Sequence, residues 1–228
     1  MFTPADLFDL RHTAHASLFD GCANAWDALT RLPAYVQAQA RPRLENRCLG
    51  VAWIGDLVCI GEGTVVEDGA MIQGPAIIGR HCQIRHNAYI RHQVLVGDHC
   101  VIGNACEIKH AILFDGCEVP HHNYIGDSIL GHQAHLGAGA KISNLKLTPG
   151  TVRISHGGVV ADTGLLKLGA LIGDGAQIGC NAVLNPGTVL GRGSIVYPNV
   201  SWRGVLPAGH IARNRAAVEV GRLEDRRD

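Results

Sequence analysis

The chain has 228 residues, and its twenty lysines and arginines balance twenty aspartates and glutamates, so no overall field would gather nucleic acid or an anionic membrane, and one main domain with terminal appendages is expected. No charged and then apolar leader opens it and no run of about eighteen apolar residues occurs, which makes a cytoplasmic protein without membrane spans the expectation. Eight cysteines without a CxxC pair fit neither a disulfide framework nor a zinc ribbon, whereas 29 glycines and only 5% aromatic residues point to an internal repeat.

In chain order, Thr3-Pro4 reads as a helix N-cap followed by proline at the first helical position, and Trp26, Leu29, Leu32 and Val36 have helical spacing. Residues 1–47 are therefore expected as short helices capping the first coil of a repeat that begins after them. From there a period of six takes over. Ile54, Ile60, Val66, Ile72, Ile78, Ile84, Ile90, Val96, Ile102, Ile108 and Phe114 succeed one another at six-residue steps. Four residues after each stands a mostly small partner, from Val58 and Thr64 through Cys82, Ala88, Cys100 and Cys106 to Ile112.

The phase is expected to slip after Phe114 and to resume at Leu130, Leu136 and Ile142. Residues 143–169 read as a loop or hairpin excursion, and Ile172, Ile178, Leu184, Leu190 and Val196 continue the repeat with Ala176, Ala182, Thr188 and Ser194 as small partners. After residue 200 the period fades into Leu206-Pro207-Ala208-Gly209 and an arginine-rich tail, expected as an extended arm with a final helix over 201–228.

A six-residue unit is too short for a helix and its return but fits a short strand plus a corner. Residues 48–200 are thus expected to form an all-β solenoid, a parallel β-helix of hexapeptide repeats. An 18-residue column is also visible: after the aliphatic residue, one series reads Gly61, Gly79, Gly97 and the next Gln73, Arg91, Lys109. Arg91 and Lys109 then leave the same face about 4.8 Å apart, where two like charges call for an anion such as phosphate between them.

Chemistry is sought where the repeat breaks. The run His121-His122-Asn123-Tyr124-Ile125-Gly126-Asp127, with Leu136-Gly137-Ala138-Gly139 and Asn144 after it, resembles the acetyltransferase domain of the bifunctional glucosamine-1-phosphate acetyltransferase/N-acetylglucosamine-1-phosphate uridylyltransferases. It is also similar to that domain in the archaeal-type sugar-1-phosphate nucleotidylyltransferases. The resemblance covers residues 50 to 215 and implies a left-handed coil, a homotrimer, acetyl-CoA as co-substrate and an amino-sugar phosphate or nucleotide-linked amino sugar as acceptor. It implies His121 as general base, Tyr124, Asn144, Arg91 and Lys109 as acceptor ligands, and the Ala138 N–H as the donor to the thioester oxygen. Cys180 falls where the family places a serine near the coenzyme. Its phosphate-binding arginine falls on Arg213, or on Arg215 if counted without gaps from Cys180. Two positions depart from the pattern: His135 replaces an acceptor-side asparagine, and the loop lysine beyond Asn144 is absent, with Gly150 in its place and Arg153 nearby. The nucleotidylyltransferase half is expected to be missing.

Two other classes stay open. Thirteen histidines, among them His81 and His99, His92 and His110, and His81 and His86, raise the zinc-dependent γ-class carbonic anhydrases, which need three converging imidazoles. A non-catalytic or regulatory scaffold is the other. Cys82, Cys100 and Cys106 occupy the small inward slot and are expected to be inert packing.

Overall fold

Each hexad contributes a strand of two or three residues that turns at a corner and pairs with its equivalent one coil away, so bulky and small side chains stack into an interior column. The computed structural model describes residues 1–214. It is a parallel β-solenoid of about nine turns, consistent with the left-handed hexapeptide β-helix. Val58–Ile60 pairs in parallel with Ala76–Ile78 and that strand with Val94–Val96, each eighteen residues on. The interior aliphatics are fully buried. In the small slot, the thiols of Cys82, Cys100 and Cys117 donate to the carbonyls of Gly97, Phe114 and Gly131 at 3.1, 3.2 and 3.0 Å, as the Thr64 hydroxyl does to Gly79 at 2.8 Å. A hydrogen bond with the Cys100 thiol, and burial, push the Cys82 thiol far above its ordinary pKa, in keeping with inert packing.

The slip lies earlier than expected and has a simple form. Ile90 pairs with Ile108, eighteen on, but Val94 pairs with Ala111, seventeen on, so one residue is lost at the corner Lys109-His110. The next coil repeats the loss between Ile125 and Ser128. Because strand side chains alternate with period two, one missing residue exchanges inside and outside. Ala111 and Leu113 consequently take the inward places expected for Ile112 and Phe114, and those two join an outer apolar cluster.

That cluster shows what the N-terminal segment does. Thr3 caps helix α1 (Pro4–Leu7), its N–H and hydroxyl bonding Asp6 at 2.7 and 2.8 Å. Helix α2 (Asp27–Gln39) buries Leu29, Leu32 and Val36. These side chains, with Phe8 and Phe19, cover the outward column Ile77, Leu95, Ile112, Ile129, Leu171 and Val189. The helices thus lie along one flank across several coils and do not cap the first one, because an apolar stripe of this length needs cover. The Asp9 N–H to Asp174 (2.7 Å) and Arg192 to the Ala5 carbonyl (2.8 Å) tie them far along the solenoid.

The excursion is a hairpin of Arg153–His156 and Val159–Asp162, turned by Gly157 and Gly158, both at positive φ. Residues 201–212 remain in the coil: Val205–Leu206 pairs with Val189–Leu190 and Ile211–Ala212 with Ile195–Val196. The expected arm therefore does not begin at 201. The expected final helix and Arg215 lie outside the described residues. No described helix is long and apolar enough to cross a membrane.

Candidate functional site

His121 ends the strand Glu118–His121, opposite Asn104 of the coil before. The pairing Glu118–His135 advances seventeen residues and His135–Gln177 a further 42, which sets Ala138 and then Cys180 in the same corner column as His121. Hydrogen bonds from Gly139 N–H to the His121 carbonyl and from Asn181 N–H to the Ala138 carbonyl, both 2.9 Å, close these steps. Adjacent coils stand about 4.8 Å apart. Asn123, only 2% exposed, locks the lip of this corner: its amide donates to the carbonyls of Gly137 (2.8 Å) and Ala140 (3.1 Å), and its oxygen accepts from the His121 N–H (3.0 Å). His121 itself is exposed, and no hydrogen bond reaches its ring among the described residues.

The Ala138 N–H carries no cap among the described residues, and neither does the Cys180 N–H one coil on. At three corners of another column, the N–H of Arg80, Asp98 or His132 is instead capped by the carboxylate of Asp98, Asp115 or Asp174. A main-chain donor without a partner among the described residues thus stands one coil from an exposed imidazole.

The adjoining face carries the expected acceptor ligands. A Cβ on Gly126 would come within 2.7 Å of the Asn144 amide and 2.8 Å of the Tyr124 hydroxyl, so glycine lets these two groups converge over its backbone. Burial raises the Tyr124 pKa. Arg91 and Lys109 stand in one column but do not face each other bare: Arg91 pairs with Glu107 at 2.8 Å and Lys109 with Asp127 at 3.2 Å. The anion that the spacing called for is in part supplied by the chain. Asp127, 5% exposed, also lies 2.8 Å from His110 Nδ1 and accepts from Asn144. Burial raises its pKa, but the bonds from His110 and Asn144 and the charge of Lys109 outweigh that and hold it below the ordinary value. The other His110 nitrogen lies 3.0 Å from the Leu29 carbonyl, linking α2 to this cluster.

Asp127, Glu107 and Asn123 were not assigned roles from the sequence, and His110 entered only as one of the stacked histidines of the zinc reading. His110 and Asp127 sit at positive φ in the two shortened corners, as His99 and Asn181 do in regular ones. Lys146, Arg153 and Arg203 line a cleft of about 280 Å³ beside the hairpin. Cys180 and Arg213 are exposed, and His135 bonds Glu118 at 3.1 Å. His81 and His99 stack at 5.1 Å, and no group of three or more histidine, cysteine, aspartate or glutamate residues suited to a metal ion occurs among the described residues.

Residues 72–168 match the family described as the GMPPB C-terminal domain, and residues 169–201 match the bacterial transferase hexapeptide repeats. A bifunctional sugar-1-phosphate nucleotidylyltransferase/acetyltransferase of Sulfurisphaera tokodaii is 36% identical over 67 residues, 29% of this chain and 17% of that protein. The bifunctional protein GlmU of Methanococcus maripaludis is 37% identical over 68 residues, 30% of this chain and 16% of its own length. The matches thus span less than a fifth of either relative. Among solved structures, a putative acetyltransferase from Bacillus cereus aligns at 17% identity with TM-score 0.32, covering 75% of this chain and 80% of that one. UDP-N-acetylglucosamine acyltransferase from Campylobacter jejuni aligns at 12% identity with TM-score 0.35, over 74% and 66%.

Proposed function

We propose that this chain, whose coil is built of hexapeptide transferase repeats, moves an acetyl group from acetyl-CoA to the amine of an amino-sugar phosphate or a nucleotide-linked amino sugar. The observation that carries this reading is the corner column in which exposed His121 stands one coil from the uncapped Ala138 N–H, beside the Tyr124 and Asn144 niche. His121 takes a proton from the amine as it attacks the thioester carbonyl, and the Ala138 N–H bears the charge of the tetrahedral oxyanion. Collapse then releases the coenzyme thiolate, which receives the proton from the imidazolium. Histidine suits this exchange because it can both take and return a proton near neutral pH.

Tyr124 and Asn144 hold the sugar, and Arg91 and Lys109 its phosphate. Binding draws Arg91 from Glu107, whereas Lys109 stays tied to Asp127. Acetyl-CoA runs along the column past Cys180, with its phosphates toward Arg213, across the boundary between subunits of a homotrimer. Free cysteines accord with a cytoplasmic location. The test is thiol release from acetyl-CoA over a panel of amino-sugar 1-phosphates and nucleotide-linked amino sugars; activity in neither class defeats the reading. A non-catalytic coil is the second reading, favoured by the internal pairing of both cations and by a His121 ring without an orienting partner among the described residues. It requires that coenzyme A not bind.

A further inference from the structure

A cavity of about 480 Å³, lined by Trp53, Asp56, Gln73, Gly74 and His92, lies off the reacting column and is used by no step of the proposed transfer. We propose that it holds the base and ribose of the acceptor, so that the acceptor is a nucleoside diphosphate-linked amino sugar. The inference rests on the acyl-acceptor reading of the Tyr124 niche and names its substrate class.

The three parts of such an acceptor find their places in order along a single edge of the solenoid. Trp53, Met71, Tyr89, Glu107 and Tyr124 are successive register partners, and Gln73 stands one coil before Arg91. At about 4.8 Å per coil, Trp53 is about 10 Å from the coil of Arg91 and about 19 Å from that of Tyr124. An aromatic surface, a pair of cations and a sugar niche therefore succeed one another in the order base, diphosphate, sugar. Trp53 is 54% exposed, which leaves its indole open to stack on a base. The walls suit a nucleoside. Asp56 repels phosphate but accepts from an amino or ribose hydroxyl group, and Gln73 both donates and accepts. His92 stands at the junction with the cations. Burial, then the charges of Arg91 and Lys109, lower its pKa, so that at neutral pH it offers an uncharged ring to the base or ribose. The buried, unpartnered Nε of Arg91 leaves a donor unused.

The experiment titrates the protein, without acetyl-CoA, with uridine, guanosine and adenosine diphosphates and with an amino-sugar 1-phosphate, following tryptophan fluorescence and heat. One of the diphosphates is expected to bind, roughly tenfold or more weakly in Trp53→Ala, with recovery in Trp53→Phe and a loss in Asp56→Asn. Binding of the 1-phosphate should be indifferent to Trp53. No nucleoside diphosphate binding, or binding untouched by both Trp53→Ala and Asp56→Asn, overturns the inference. Acetyl transfer to a 1-phosphate without nucleotide binding removes this inference and leaves the proposed function. Nucleotide binding without any acetyl transfer keeps the nucleoside site but removes the transferase reading on which its sugar end depends.

Discussion

The coils before Ile108 and the two after it are built from the same hexads, yet only the second pair carries a polar cluster. In the regular coils, corners such as Gly97-Asp98 are glycine and then a capping aspartate, and nothing titratable is buried beside them except cysteine thiols. One residue is lost at Lys109-His110 and again at Gly126-Asp127, and there His110 and Asp127 stack on one another and gather Lys109 and Asn144. A repeat offers every coil the same environment, so a site is made by breaking the repeat where two coils can break together without losing register.

The largest expected effect breaks this cluster. Asp127→Ala removes the shared acceptor and leaves Lys109 in a mostly buried place without its counter-charge, which typically costs about 3–5 kcal/mol. Denaturant unfolding should show that loss, whereas Asp68→Ala, at an exposed corner of a regular coil where Asp68 accepts from the Val51 N–H, should cost about 1 kcal/mol. Equal losses would show that the shortened corners are not special. His121→Ala comes next: turnover should fall roughly 10²-fold with acceptor affinity and stability little changed, since the side chain is exposed. Unchanged turnover rejects it as the base, and a loss in His122→Ala alone moves the role to the next residue.

The same contrast explains what was legible in the sequence. The solenoid was readable because Ile54 to Ile108 repeat without a gap, whereas His121, Tyr124 and Asn144 were singled out only by the resemblance of the motif that holds them. The place of the slip was hidden because Ile112 and Phe114, although they face out, are apolar and fall on the six-residue count. The flank position of α2 had a signal in the outward column Ile77, Leu95, Ile112 and Ile129, whose apolar character needs a cover. Asp127 could not be found this way: its partners lie seventeen or eighteen residues distant, and which partners they are depends on the register that the lost residue sets. The pairing of Arg91 with Glu107 and not only with a ligand is likewise a matter of which side chain stands one coil away.

Acid should sharpen the difference between the two regions more gently. The Asp127 pKa is lower folded than unfolded, so its contribution is fully present above about pH 4 and is lost as pH falls through the folded value. Asp127→Asn should therefore flatten the fall of stability below about pH 4, at a cost in stability at neutral pH. If the acid slope is the same in both proteins, the carboxylate is not held by its neighbours as the structure has it.

The smallest effect, and the one that decides how the cation column works, belongs to Glu107. Its carboxylate is half exposed and occupies Arg91 at 2.8 Å, so it competes with an arriving phosphate and repels it through space. Glu107→Gln keeps the shape while removing the charge, and an exposed pair of this kind contributes about 1 kcal/mol or less. Affinity for a phosphate-bearing acceptor should thus rise severalfold, and its dependence on salt should steepen because the column gains net positive charge. Arg91→Ala should lower the same affinity roughly tenfold, and in the double variant the gain from Glu107→Gln should shrink, since the carboxylate acts in part through the guanidinium it occupies. An unphosphorylated amino sugar should respond to none of these changes. If it responds as the phosphorylated one does, Arg91 and Glu107 are serving the coil, and the acceptor's phosphate is held elsewhere.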